Sequence, residues 1–138
     1  MPPDTDLDRT PEDFAHYRID RARLCLQDAK VPGVSFENAA NRSYYCIFNA
    51  MRAVLSLDRF DSKKHSGVIS AFRKGYIKTG IFPVDFSTII DKAFDIRLDS
   101  DYEAFYLVSK AAVAAQVENA GIFLEAVEKY VGERIQST

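Results

Sequence analysis

Three groups of residues in this chain combine types and spacings that could do chemistry. The first is His65, directly preceded by Lys63 and Lys64. An imidazole exchanges protons near neutrality and so serves general acid–base work, and two lysines at a helix start suit a phosphate, which the backbone N–H groups there also attract. The competing use of His65 is structural, as a cap or as a bond across to another helix. The second group is Arg97 with Asp101 and Tyr102. A guanidinium keeps its charge and presents a planar fork of donors that matches phosphate or carboxylate, so Arg97 either serves a ligand or pairs with Asp101, one helical turn on. The third is a stripe of Asn38, Arg42, Tyr45, Asn49 and Arg52 at helical spacing, polar, basic and aromatic at once. It can line a groove, form a subunit contact or face solvent.

Other chemistries find no support. The chain has no Gly-rich phosphate loop of the Walker or Rossmann type and no Gly-x-Ser-x-Gly nucleophile elbow. His16 and His65 are the only histidines and Cys25 and Cys46 the only cysteines, too few for a His- or Cys-built metal site, and no spacing singles out a carboxylate one. No metal and no cofactor are expected. Both cysteines fall among apolar residues, which reads as two reduced, buried thiols. The acidic start MPPDTDLDRT is not a secretory signal, and no apolar run approaches the ~20 residues of a membrane helix, so the expectation is a cytoplasmic protein without membrane contact.

The charge is unevenly placed. Net charge is −2, but residues 38–80 carry eight Lys or Arg (Arg42, Arg52, Arg59, Lys63, Lys64, Arg73, Lys74, Lys78) against Asp58 and Asp61. That basic stretch can attract phosphate; it can equally be a solvated face.

At 138 residues there is room for one domain, and the elements that must position these groups are all helical. Thr10-Pro11-Glu12-Asp13 reads as a capped start with a capping box, followed by Ala15, Ile19, Ala22, Leu26 and Ala29 as one buried stripe, with a stop at Val31-Pro32-Gly33. The second helix runs from after Ser35 to about Leu57, its core stripe being Phe36, Ala40, Tyr44, Ile47, Met51 and Val54. A third starts near Ser62, carries His65, Ile69, Phe72 and Tyr76 on one side and stops at Gly80. A fourth begins at Pro83 with Phe86, Ile90, Ala93 and Arg97 in register. Ser109 caps the last, whose stripe is Val113, Val117, Ala120, Leu124, Val127 and Val131. The reading is all-α: an antiparallel bundle of about five helices.

Three motifs give the chain a resemblance. Arg42-Ser43-Tyr44-Tyr45 is followed by Phe48 and Ala50; Lys63-Lys64-His65-Ser66-Gly67 is followed by Phe72 and Lys78-Thr79-Gly80; Arg97 precedes Asp101-Tyr102. In this order, over residues 12–131, the chain resembles small stand-alone HEPN domains of prokaryotes. The resemblance implies a single HEPN-like helical domain at 10–132, with a flexible segment at 1–9 and a frayed C-terminus at 133–138. Ribonucleases of that superfamily carry Arg, a gap of four to six residues, then His. Here the positions after Arg97 hold Tyr102, Glu103 and Ala104, so the motif's histidine is missing. Arg59 to His65 and Arg9 to His16 satisfy the spacing, but the pattern is loose and both lie in the wrong part of the chain.

The resemblance implies a nucleotide- or RNA-binding module, homodimeric and paired with a minimal nucleotidyltransferase in a toxin–antitoxin-like system. Its ligand would be held by Arg42, Tyr45, Arg52, Lys63, Lys64, Asp101 and Tyr102. One alternative is a divergent, metal-independent ribonuclease toxin using Arg97 and His65, and another is a non-catalytic structural adaptor. Tyr102 also lies near the place where some HEPN toxins carry a tyrosine modified with AMP by their partner.

Overall fold

A computed structural model describes residues 9–101 and 110–137, the side chains of 97–101 excepted. Thr10 caps α1 (Pro11–Ala29): its hydroxyl accepts the Asp13 N–H (3.1 Å) and the Asp13 carboxylate accepts the Thr10 N–H (3.0 Å), the reciprocal capping box the sequence signals. Ser35 caps α2 (Phe36–Leu57) through the Asn38 N–H. Next come α3 (His65–Phe72), α4 (Asp85–Asp101) and α5 (Lys110–Gln136). Five helices and no strand form among the described residues.

Packing pairs fix the directions. The start of α1 lies beside the end of α2, and Arg23 of α1 bonds Glu128 of α5, so α1 is antiparallel to both. Cys46 meets the Ala120 carbonyl and Asp58 meets Arg134, so α2 and α5 run the same way. α4 runs against α5, with Phe86 stacked on Phe123 near one end, and Ile96 against the cluster of Ala39, Ala40 and Val113 near the other. The core holds Tyr44, Ile47, Met51 and Val54 of α2, Phe72 of α3, Ile90 of α4, and Phe123 and Val127 of α5. Both cysteines are free and buried, and burial pushes the Cys46 thiol up to about 12, far from the thiolate a reactive cysteine needs.

The structure differs from the sequence expectation at several points. α3 starts at His65, not near Ser62, because Asp61 accepts the Ser62 N–H (2.9 Å) and the Ser62 hydroxyl accepts the Lys64 N–H (3.2 Å), holding that stretch as a turn. α4 starts at Asp85, after Pro83. Phe36 is exposed, not core: a helical side chain lies over the turn preceding its own Cα, and here that is the open 30–35 connection. α5 stays helical past residue 132 to Gln136, with Arg134 tied to Asp58 and Tyr130. Ser109, the expected cap, lies outside the described residues, as do residues 1–8.

α5 also buries more than one stripe, adding Gln116 and Phe123 to the expected set, because it packs against α1, α2 and α4 together. Gln116 is 1% exposed, and among the described residues neither its amide nitrogen nor its amide oxygen has a hydrogen-bond partner. An unsatisfied buried polar group costs about 1–3 kcal/mol, and methionine fills nearly the same volume without polar N–H groups. Gln116→Met is therefore expected to stabilise the fold by about 1–3 kcal/mol in urea unfolding. A loss of stability would show that the amide is paired in solution.

No helix among the described residues is long and apolar enough to cross a membrane.

Candidate functional site: an imidazole clamp beside a basic groove

His65 is the first residue of α3, with Lys64 at the N-cap. It does not cap the helix; its Nδ1 is 2.6 Å from the Tyr44 hydroxyl of α2, one of the two donating according to the imidazole tautomer. The ring stacks on Phe48 at 4.2 Å between centroids and meets the edge of Tyr45 at 5.8 Å. Three aromatic residues of one helix thus fix the position and plane of the imidazole. Two cations cover the outer rings: Arg42 stands over Tyr45 (5.5 Å) and Arg52 over Phe48 (5.8 Å).

The structure therefore gathers Arg42, Tyr45, Arg52 and His65, but with the two arginines already engaged. Arg52 grips the Asp61 carboxylate through Nε and a terminal nitrogen (2.9–3.2 Å). Burial alone would raise the Asp61 pKa; the bonds from Arg52 and from the Ser62 N–H outweigh it and hold the carboxyl below its ordinary value. Arg42 bonds the neighbouring Asn41 side chain. Asn49, expected on the same polar stripe, is buried; its oxygen accepts from Arg18 and its nitrogen donates to the Tyr45 carbonyl.

A broader feature opens on the α4 side of His65. α3 widens into a π-helical turn, Arg73–Ile77, closed by the Lys78 N–H donating to the Arg73 carbonyl (2.9 Å). Such turns are rare and recur at functional sites. Between this turn and α4 runs an open groove of about 870 Å³, lined by Lys64, His65, Arg73, Lys74, Lys78 and Asp91, with Ile69 and Phe94 as apolar wall. Arg73 is ion-paired with Asp91. Lys64, Lys74 and Lys78 have no ion pair among the described residues.

Of the residues singled out from the sequence, His65 and Lys64 line this groove. Lys63 is exposed beside it, and Arg42 lines a different hollow with Asn38, at the α1–α2 connection. The side chains of Arg97 and Asp101, at the end of α4, and all of Tyr102 lie outside the described residues. Sequence reasoning missed Phe48, Lys74 and Lys78 as site residues. The signals were present: Lys74 and Lys78 stand four apart in the basic stretch, and Phe48 follows the Arg42-Ser43-Tyr44-Tyr45 motif that carries the resemblance.

Comparison with known proteins bears on this arrangement. The family model described as HEPN domain matches residues 15–130. A UPF0332 protein of Thermotoga maritima is 32% identical over 122 residues, covering 87% of this chain and 92% of that protein. A UPF0332 protein of Archaeoglobus fulgidus is 32% identical over 124 residues, covering 88% and 98%. A Methanocaldococcus jannaschii protein that carries the name "Putative toxin" is 32% identical over 96 residues, covering 70% of this chain and 65% of its own length.

Proposed function

Since this chain belongs to the HEPN domain family, we propose that it is an RNA-binding helical module of a toxin–antitoxin-like pair, homodimeric and partnered by a minimal nucleotidyltransferase. The observation that carries the reading is the groove: three unpaired lysines and a fixed imidazole over an apolar wall. Uncommitted cations along an open channel suit a phosphate backbone, and apolar and aromatic side chains beside them suit unstacked bases. The relative named as a toxin supports the toxin–antitoxin setting. The test is fluorescence anisotropy of labelled single-stranded RNA across a salt series. Affinity is expected to fall linearly on a log–log scale; no binding even at low salt would remove the reading.

A second reading, a metal-independent ribonuclease, is favoured by one feature. His65, a residue suited to proton transfer, stands in the groove wall with its orientation fixed by Tyr44, and Arg97 belongs to α4, the opposite wall. The binding reading expects chelator-treated protein to leave mixed RNA intact at high concentration. Cleavage that vanishes in both His65→Ala and Arg97→Ala would move the function to the second reading.

A further inference from the structure

The lysine groove contains one residue that works against a plain phosphate channel. Asp91 of α4 is the only carboxylate among its described lining residues. A negative charge there lowers the positive potential that draws a phosphate backbone. Its ion pair with Arg73 does not account for its presence. The Asp91 side chain is 64% exposed and that of Arg73 33%, and a pair so open to solvent contributes about 0–1 kcal/mol.

The surroundings of Asp91 suit the reading of a base edge. Arg73 donates both to Asp91 and to the Ser87 carbonyl (3.3 Å), so the pair holds the carboxylate in one orientation against the π-turn. An ionised carboxylate only accepts, at about four lone-pair positions; Arg73 engages Oδ1, and the remaining positions are open to donors. Phe94, three residues on and therefore on the same side of α4, also lines the groove. Its ring is half-buried and steadied by an edge contact with Tyr44, 6.0 Å between centroids. A fixed acceptor beside a fixed ring is what reads an unstacked base, on its edge and on its face. Lys64, Lys74 and Lys78 stand on the α3 side of the groove, where they take the backbone and turn the bases toward α4. The bases differ in what they offer a carboxylate. Guanine presents its N1–H and its 2-amino group side by side, two adjacent donors. Adenine and cytosine place an amino group next to a ring acceptor, and uracil flanks its N3–H with two carbonyl oxygens.

We propose that Asp91 is a specificity-determining residue of the groove: it accepts from the Watson–Crick edge of guanine while Phe94 stacks on the ring, so the groove selects single strands that contain guanine. The inference rests on the groove binding RNA and adds which base it selects. A carboxylate among phosphate-binding lysines then has a reason, since overall affinity is given up for discrimination between bases.

The test is fluorescence anisotropy of the full chain at low salt with short labelled single-stranded RNAs: an all-uridine strand, the same strand with one central guanosine, and the same with inosine, which lacks the 2-amino group. The guanosine strand is expected to bind the wild type about tenfold more tightly than the all-uridine strand, with inosine between them. Asp91→Ala is expected to abolish the guanosine advantage while strengthening all-uridine binding, because a negative charge leaves the groove. A carboxylate that only tied α4 to the π-turn would, on removal, weaken every strand alike. The proposal is overturned if the wild type binds guanosine and all-uridine strands equally, if the advantage survives in Asp91→Ala, or if that variant loses affinity for both strands in the same proportion. Failure of all three strands to bind the wild type would instead remove the RNA reading itself, and this inference with it.

Discussion

Phe123→Ala is expected to cost about 3–5 kcal/mol of folding stability, the largest loss of any single truncation considered. Phe123 is fully buried, with its ring 4.7 Å from Phe86 of α4 and 5.7 Å from Phe72 of α3. It is therefore the point where α5 carries both walls of the lysine groove, α3 with its π-turn on one side and α4 on the other. Close-packed interiors relax only partly around a deleted ring, so the vacated volume remains a cavity. For a domain whose whole stability is about 5–15 kcal/mol, the loss is severe, and Tm should fall by roughly 10–20 °C. Urea unfolding of the wild type, Phe123→Leu and Phe123→Ala measures it, the leucine variant losing less because it refills part of the volume. A loss below about 1 kcal/mol for the alanine, the level of an exposed site, would place this ring outside the core.

Much of the framework was legible because its signals are local. Thr10 with Asp13, and Ser35 before Phe36, mark two helix starts through side-chain bonds within a few residues, and Gly80 at φ 83° ends the segment after the π-turn as its type suggests. What was not legible depends on contacts distant in sequence. α3 begins late because Asp61, drawn to Arg52 nine residues earlier, holds its neighbours in a turn. Asn49 reads as polar surface until Arg18, on another helix, supplies its partner. Gln116 lies outside the expected apolar stripe and is nevertheless buried, on a helix that packs against three others.

The candidate site divides in the same way. That Arg42, Tyr45 and Arg52 share a face follows from helical spacing, and the structure sets His65 against that face. That both arginines are engaged, by Asn41 and Asp61, does not follow from spacing, and it moves the free positive charge away from α2 to the lysines of α3 and the turn after it. A π-turn has no simple sequence signature. By adding one residue to the turn it changes which side chains after Arg73 face α4, which is why Lys74 and Lys78 meet Lys64 and His65 in one groove.

Removing those lysines together is expected to have the largest functional effect. Each phosphate contact on a single strand contributes about 0.7 to the slope of log affinity against log salt, so Lys64→Ala, Lys74→Ala and Lys78→Ala combined should flatten the slope by about 2 and weaken RNA binding roughly 100-fold at 0.1 M salt. The fold should not suffer. All three side chains are exposed, none has an ion pair among the described residues, and Lys64 makes no side-chain cap bond at the α3 start. Lys63→Ala with Lys92→Ala is the comparison, since both are exposed cations that do not line the groove. If binding is steered by overall charge, both variants lose affinity in proportion to the charge removed, and their slopes change alike per lysine. If the groove holds the strand, the triple variant alone loses slope, because counterions are released only where phosphates and cations meet. Anisotropy titrations at four salt concentrations separate the two, and equal slope changes per lysine would remove the groove as the RNA site.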